Sequence, residues 1–129
     1  ILNKKKVKNS KILPNIGFAG LTHLGINSAV ASAAKGFKTY CYHNDPKTIN
    51  RLNNNDVIVT EPKLSHYFEK HKNNLFLSSD PKILNNCDIV YIAFDVPTND
   101  LGESDLKPID TLTQNIKKFI NSNTLLVIL

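Results

Sequence analysis

The run Asp88-Ile89-Val90-Tyr91-Ile92-Ala93-Phe94 is near-continuously apolar and bounded by polar residues. That is the pattern of a strand covered on both faces, which a parallel sheet imposes. Two parallel strands cannot be joined by a tight hairpin and need a crossover, usually a helix. The rest of the chain supplies the alternation. Ile16-Gly17-Phe18-Ala19 reads as a first buried strand, and Leu24 to Lys35, rich in small apolar residues, as a tightly packed helix stopped by Gly36. Thr39-Tyr40-Cys41-Tyr42 is the second strand. Asp45-Pro46 then opens a helix carrying Ile49 and Leu52 and ending in Asn53-Asn54-Asn55.

Between Glu61 and Asn74, the spacing of Leu64, Tyr67, Phe68 and His71 fits one helical face. Leu75-Phe76-Leu77 is a third strand, and Asp80-Pro81 caps a short helix through Ile83-Leu84. After the fourth strand, a loop rich in Asp, Pro, Asn and Gly runs from Asp95 to about Asp105. A helix from Pro108 to Ile120 presents Ile109, Leu112, Ile116 and Phe119, and Thr124 to Leu129 is the last strand. This order predicts an α/β domain of three layers, a doubly wound parallel sheet with strand order 3-2-1-4-5. Its crevice should lie beyond the C-terminal ends of strands 1 and 4.

The length of 129 residues supports one domain with an ordinary core, at residues 15–129, behind a basic lead-in at residues 1–14. The sequence has no Met and ends on the apolar run Leu125-Leu126-Val127-Ile128-Leu129, which reads as a buried strand within a longer protein. Two cysteines without regular spacing exclude a disulfide scaffold, and Cys41 and Cys87 read as core residues. No histidine pair has the spacing and carboxylate of a metal site. No apolar run reaches the ~18 residues of a membrane span, and no secretory pattern is present, so a cytoplasmic protein without membrane contact is expected. The net charge of +5 rests almost wholly on lysine. The patch Lys4-Lys5-Lys6-Val7-Lys8 reads as a solvated leader or as a nucleic-acid arm. It lacks interleaved aromatics for base stacking, so no nucleic-acid partner is expected.

Chemistry concentrates in Gly20-Leu21-Thr22-His23-Leu24-Gly25, directly after strand 1. This is the G-x-G-x-x-G position with Thr22 in place of the middle glycine. Gly20 permits the tight turn, Gly25 lets the helix approach the sheet, and the free N–H groups of the helix start attract a diphosphate. Thr22 adds bulk where the backbone approaches the diphosphate, though its hydroxyl can itself bond a phosphate oxygen. A glycine-containing turn that binds nothing is the alternative. The acid that would hold the adenosine ribose is expected about 20 residues on. His43 stands there, followed by Asn44 and Asp45. His43 is either a weaker ribose partner or a surface histidine. If it is protonated, or Lys47 is near, a 2′-phosphate becomes tolerable. Asp45 reads chiefly as a helix N-cap.

These residues resemble the N-terminal NAD-binding domain of the UDP-glucose/GDP-mannose dehydrogenase family. The family's I-G-x-G-Y-V-G-L loop falls on Phe18 to Ile26, with His23 for its Tyr, and its V-D-x-D strand end falls on Tyr42-His43-Asn44-Asp45. Its K-[IV]-x-x-[LI]-N block is matched at Ile49, Leu52 and Asn53, and its E-P-x-L block at Glu61-Pro62-Lys63-Leu64. The T-P loop is matched by Val96-Pro97-Thr98 and the closing G-x-x-D-L by Gly102-Glu103-Ser104-Asp105-Leu106. The departures cluster at cofactor contacts: Thr22, His43, Thr48 and Val96.

The resemblance implies a Rossmann-type fold and an NAD cofactor, with NADP as the alternative. It places cofactor contacts at Gly20, Thr22, His23, Leu24, Gly25, His43, Asp45, Val96 and Pro97. For the full-length protein it implies oxidation of the C6 alcohol of a nucleotide sugar to a carboxylate, in a homo-oligomer. The catalytic Cys and Lys of that chemistry fall outside these residues, so no catalytic residue is expected here. The altered contacts motivate a second reading, a non-catalytic Rossmann-like module for nucleotide sensing or assembly.

Overall fold

The computed structural model describes residues 12–57 and 59–129. The Lys4–Lys8 patch and most of the lead-in lie outside them. Five strands form one sheet: β1 (Ile16–Ala19), β2 (Thr39–Tyr42), β3 (Leu75–Ser78), β4 (Ile89–Ile92) and β5 (Leu125–Ile128). Their order is β3-β2-β1-β4-β5 and every pairing is parallel. The strands end in register, so Ser78, Tyr42, Ala19, Ile92 and Ile128 form a single rim.

Helices α1 (His23–Ala34), α2 (Pro46–Asn53) and α3 (Leu64–His71) carry apolar residues into a cluster on one face, with Phe18, Ile26, Val30, Leu52 and Phe68 at its centre. Helix α4 (Lys107–Ile116) and the 3-10 turn Pro81–Asn86 cover the other face, around Leu84, Val90, Ile92, Leu112 and Ile116. This is the expected three-layer, doubly wound arrangement.

Local chemistry explains the element ends. Helix α1 buries Ile26, Ala29, Val30 and Ala33 at helical spacing, and the alanines allow a close approach to the sheet. It stops at Gly36, whose φ is +91°. There Phe37 N–H donates to Ser32 O at 3.3 Å and Gly36 N–H to Ala33 O at 3.0 Å, the paired bonds of a Schellman cap. Helix α2 starts as its sequence requires, with the Asp45 carboxylate accepting from Lys47 N–H at 3.0 Å and Pro46 in the first turn.

The structure adds detail at four places. The fourth strand is shorter than its apolar run, and Ile89 and Tyr91 are only half-buried. In α3, Leu64 and Phe68 turn inward while Tyr67 is 43% exposed, its ring stacked on His71. The last helix ends at Ile116, and Ile120 rather than Phe119 reaches the core through the following turn. Strand β5 is an outer strand of the described sheet, and its Leu125 and Ile128 are 59% and 61% exposed in this chain.

Candidate cofactor site

At the rim, β1 runs into Gly20, whose φ of +93° disfavours any residue with a β-carbon. The Gly20 N–H donates to Tyr42 O at 2.9 Å, tying the turn to the end of β2. Gly25 sits in the first turn of α1. A β-carbon there would lie 1.9 Å from Gly20 O and 2.9 Å from Ala93 O. The two outer glycines therefore do what the sequence assigns them: one turns the chain, the other lets the helix start press on the turn and on the end of β4.

Thr22 makes a contact that its place in the loop does not by itself suggest. Its backbone is extended and its side chain makes no cap bond to α1. Instead Thr22 Oγ1 accepts the backbone N–H of Asp95 at 3.0 Å. The Asp95 carboxylate in turn accepts His23 N–H, the first amide of α1, at 3.0 Å. Two bonds thus clamp the helix start to the segment after β4. Among the described residues, the N–H groups of Thr22, Leu24 and Gly25 have no protein acceptor. The His23 imidazole pairs with the Glu61 carboxylate, and the Leu24 side chain is 40% exposed.

On the β2 side, His43 Nδ1 accepts Leu21 N–H at 3.1 Å. An accepting ring nitrogen carries no proton, so this imidazole is neutral with its proton on Nε2. Burial lowers the His43 pKa from the ordinary 6.5, and the charge of Asp45 opposes that only in part. Of the two protonation states open to His43, this geometry holds the neutral one. The ring lies near-parallel to Phe94, centroids 6.5 Å apart. Together with Gly20, Thr111 and Leu112 they line a hollow of about 290 Å³.

Asp45 stands beside this hollow, but its carboxylate is engaged by Lys47 N–H and by Thr48 Oγ1 at 3.0 Å. Those bonds hold its pKa below the usual carboxylate value. Val96 is half-buried. Pro97 is exposed and borders a separate hollow with Thr98, Asn99 and Glu103. Among the described residues, no three His, Cys, Asp or Glu side chains gather as a metal site.

The arrangement fits a dinucleotide at the glycine turn, where three amides remain available, and at the hollow beside His43. It conflicts with a diphosphate at His23 N–H, where a carboxylate already stands. Sequence reasoning missed Asp95, Phe94 and Glu61. For Asp95 the only signal was its place, the first acid beyond the strand that neighbours β1.

A parallel sheet with a glycine turn feeding a helix at the point where strand order reverses defines a Rossmann-type dinucleotide-binding domain. Residues 14–129 match the UDP-glucose/GDP-mannose dehydrogenase family, NAD binding domain, and the chain belongs to that family. It is 33% identical over 122 residues to the UDP-glucose 6-dehydrogenase of Rickettsia prowazekii, covering 88% of this chain and 27% of that protein. It is 30% identical over 117 residues to the same-named protein of Rickettsia typhi, with the same coverage of 88% and 27%. The chain thus spans about a quarter of these relatives.

Among solved structures, it is similar to a UDP-glucose dehydrogenase from Pyrobaculum islandicum, with TM-score 0.84 and 20% identity over 95% of this chain and 30% of that one. It also resembles a GDP-mannose dehydrogenase from Pseudomonas aeruginosa, with TM-score 0.79 and 22% identity over 88% of this chain and 28% of that one. At these identities the structural likeness speaks to the fold.

Proposed function

We propose that the chain is the N-terminal cofactor domain of a nucleotide-sugar 6-dehydrogenase that uses NAD. The observation that carries this reading is the contact of Gly25 with Gly20. A helix start held this close to its strand turn is the geometry a bound diphosphate needs, and a β-carbon would abolish it. Gly20, Thr22, Leu24 and Gly25 would hold the diphosphate through backbone groups, and His43 would face the ribose. When bound, NAD supplies the hydride acceptor for oxidation of a sugar C6 alcohol.

The neutral His43 favours NAD over NADP. Its Nε2–H can donate to a ribose hydroxyl, while its uncharged ring adds no counter-charge for a 2′-phosphate to that of Lys107, which lines the hollow beside Asp105. Neither thiol is offered as a nucleophile. Cys41 and Cys87 are buried, and burial raises both pKa values. The thiol and lysine of the oxidation therefore belong to the remainder of a full-length protein, which we place in the cytoplasm as a homo-oligomer acting on a nucleotide sugar. No helix of the described residues is long and apolar enough to cross a membrane.

A thermal melt with NAD and with NADP tests the reading. At ligand a hundredfold above its Kd, stabilisation should be about 2.7 kcal/mol, with NAD the stronger ligand. No shift with either would count against it. A second reading, a non-catalytic nucleotide-sensing or assembly module, draws support from Asp95 standing on His23 N–H. A full-length sequence with the thiol and lysine in place would eliminate it.

A further inference from the structure

The start of α1 is where its free amides and the helix dipole are concentrated, and both favour a negative group. In this chain such a group is already supplied from within. The Asp95 carboxylate accepts the first amide of the helix at 3.0 Å, and the Asp95 N–H is fixed by Thr22 Oγ1 at the same distance. Thr22 is the residue that replaces the middle glycine of the loop, so this departure from the glycine pattern and the acid beyond β4 form one unit. The clamp spans β1 and β4, the two strands between which sheet order reverses.

We infer that Asp95 is an affinity-determining residue of the cofactor site: its carboxylate takes the place of a phosphate oxygen at His23 N–H and competes with the diphosphate of the dinucleotide. The inference rests on the cofactor reading above and deepens it. A bound diphosphate would have to displace the carboxylate from the amide and would then face its charge at short range. The adenosine end is spared. His43, Phe94, Thr111 and Leu112 line their hollow without help from Asp95. The signature is therefore a split between ligands: weak selection for the diphosphate, ordinary selection for adenosine.

Asp95 is exposed, and its side chain can be changed without opening the core. The experiment is calorimetric titration of the full-length protein and its Asp95→Asn and Asp95→Ala variants with NAD and, separately, with adenosine. The expected result is NAD binding at least tenfold tighter in both variants, with adenosine affinity unchanged within twofold. Thr22→Val, which keeps the side-chain shape but removes the acceptor for Asp95 N–H, should move NAD affinity in the same direction by less.

NAD affinity equal to or below wild type in both Asp95 variants would overturn the inference. If NAD binds none of the proteins the inference is likewise overturned; the cofactor reading survives that outcome if adenosine still binds and falls if it does not. A gain shared equally by NAD and adenosine would also overturn it, because a merely structural effect would not distinguish them.

Discussion

Gly25 lies so close to Gly20 that a β-carbon built on it would stand 1.9 Å from the Gly20 carbonyl oxygen. The obstacle is backbone on both sides, since Ala93 O is the next neighbour at 2.9 Å. No rotamer change relieves such an overlap. Either α1 lifts off the sheet or the strand turn opens. Gly25→Ala is expected to destabilise the fold by at least about 3 kcal/mol, the upper part of the usual range for overpacking. Equilibrium urea unfolding measures this. A variant with wild-type stability would show that α1 does not need to sit where it does, and the cofactor site would lose its geometric basis.

The contrast between Gly25 and Asp95 shows what the sequence made legible. Gly25, Gly20 and Gly36 could be placed because each is required by its own backbone within a few residues: a close approach, a turn, a cap. Strand order followed from the alternation of apolar runs with helical segments, because parallel strands admit few connections. Asp45 as a cap was readable from Pro46 beside it. Asp95 was not readable, because its partners, Thr22 and His23, lie more than seventy residues away and meet it only when β1 and β4 pair. The protonation of His43 failed to appear for the same reason. It depends on Leu21 N–H, 22 residues distant. Phe119 was misplaced because helical spacing records which residues share a stripe, not where the helix ends or how much of the stripe the neighbouring elements cover.

Asp45 has two candidate duties, a helix cap and a ribose contact. Its two carboxylate oxygens are held by Lys47 N–H and Thr48 Oγ1, each at 3.0 Å, so its primary work is the start of α2. Asp45→Ala should lower the melting temperature, while Asp45→Asn, which can still cap, should restore most of the loss. NAD affinity, measured in the same proteins, should follow stability only weakly. A large loss of affinity in Asp45→Asn with an unchanged melting temperature would instead make Asp45 a ribose ligand.

Both thiols should be silent in the native state. Burial raises the Cys41 pKa far above that of a free thiol and pushes Cys87 up to about 12, with Asp88 adding to the effect. The thiolate is the reactive form, so at about pH 8 only about one Cys87 in ten thousand is ionised at any moment. With access blocked as well, a thiol reagent should label almost none of the folded chain, whereas in denaturant both of its cysteines should react. Rapid labelling of native protein would show that one thiol reaches solvent and would return it to consideration as a nucleophile.

The lowered pKa of His43 has a defined consequence for stability. Its folded pKa lies below the ordinary 6.5, chiefly because burial disfavours the imidazolium. Between those two values the unfolded chain binds the proton and the folded chain does not. Falling pH therefore favours unfolding across that window. The stability that a neutral His43 contributes is fully present above about pH 6.5 and is lost as pH falls through the folded pKa. Protonation also removes the acceptor for Leu21 N–H, a bond at the very turn that shapes the cofactor site. The comparison is with a variant, which isolates His43 from the rest of the chain. His43→Gln offers an amide oxygen to Leu21 N–H and has no proton to gain. Melting curves from about pH 7.5 to about pH 5 should fall for the wild type and fall less steeply for His43→Gln, so that the difference between them shifts in favour of the variant toward the acid end. Parallel curves would mean that His43 is solvated in the folded chain, and the neutral ring on which the preference for NAD depends would have to be abandoned.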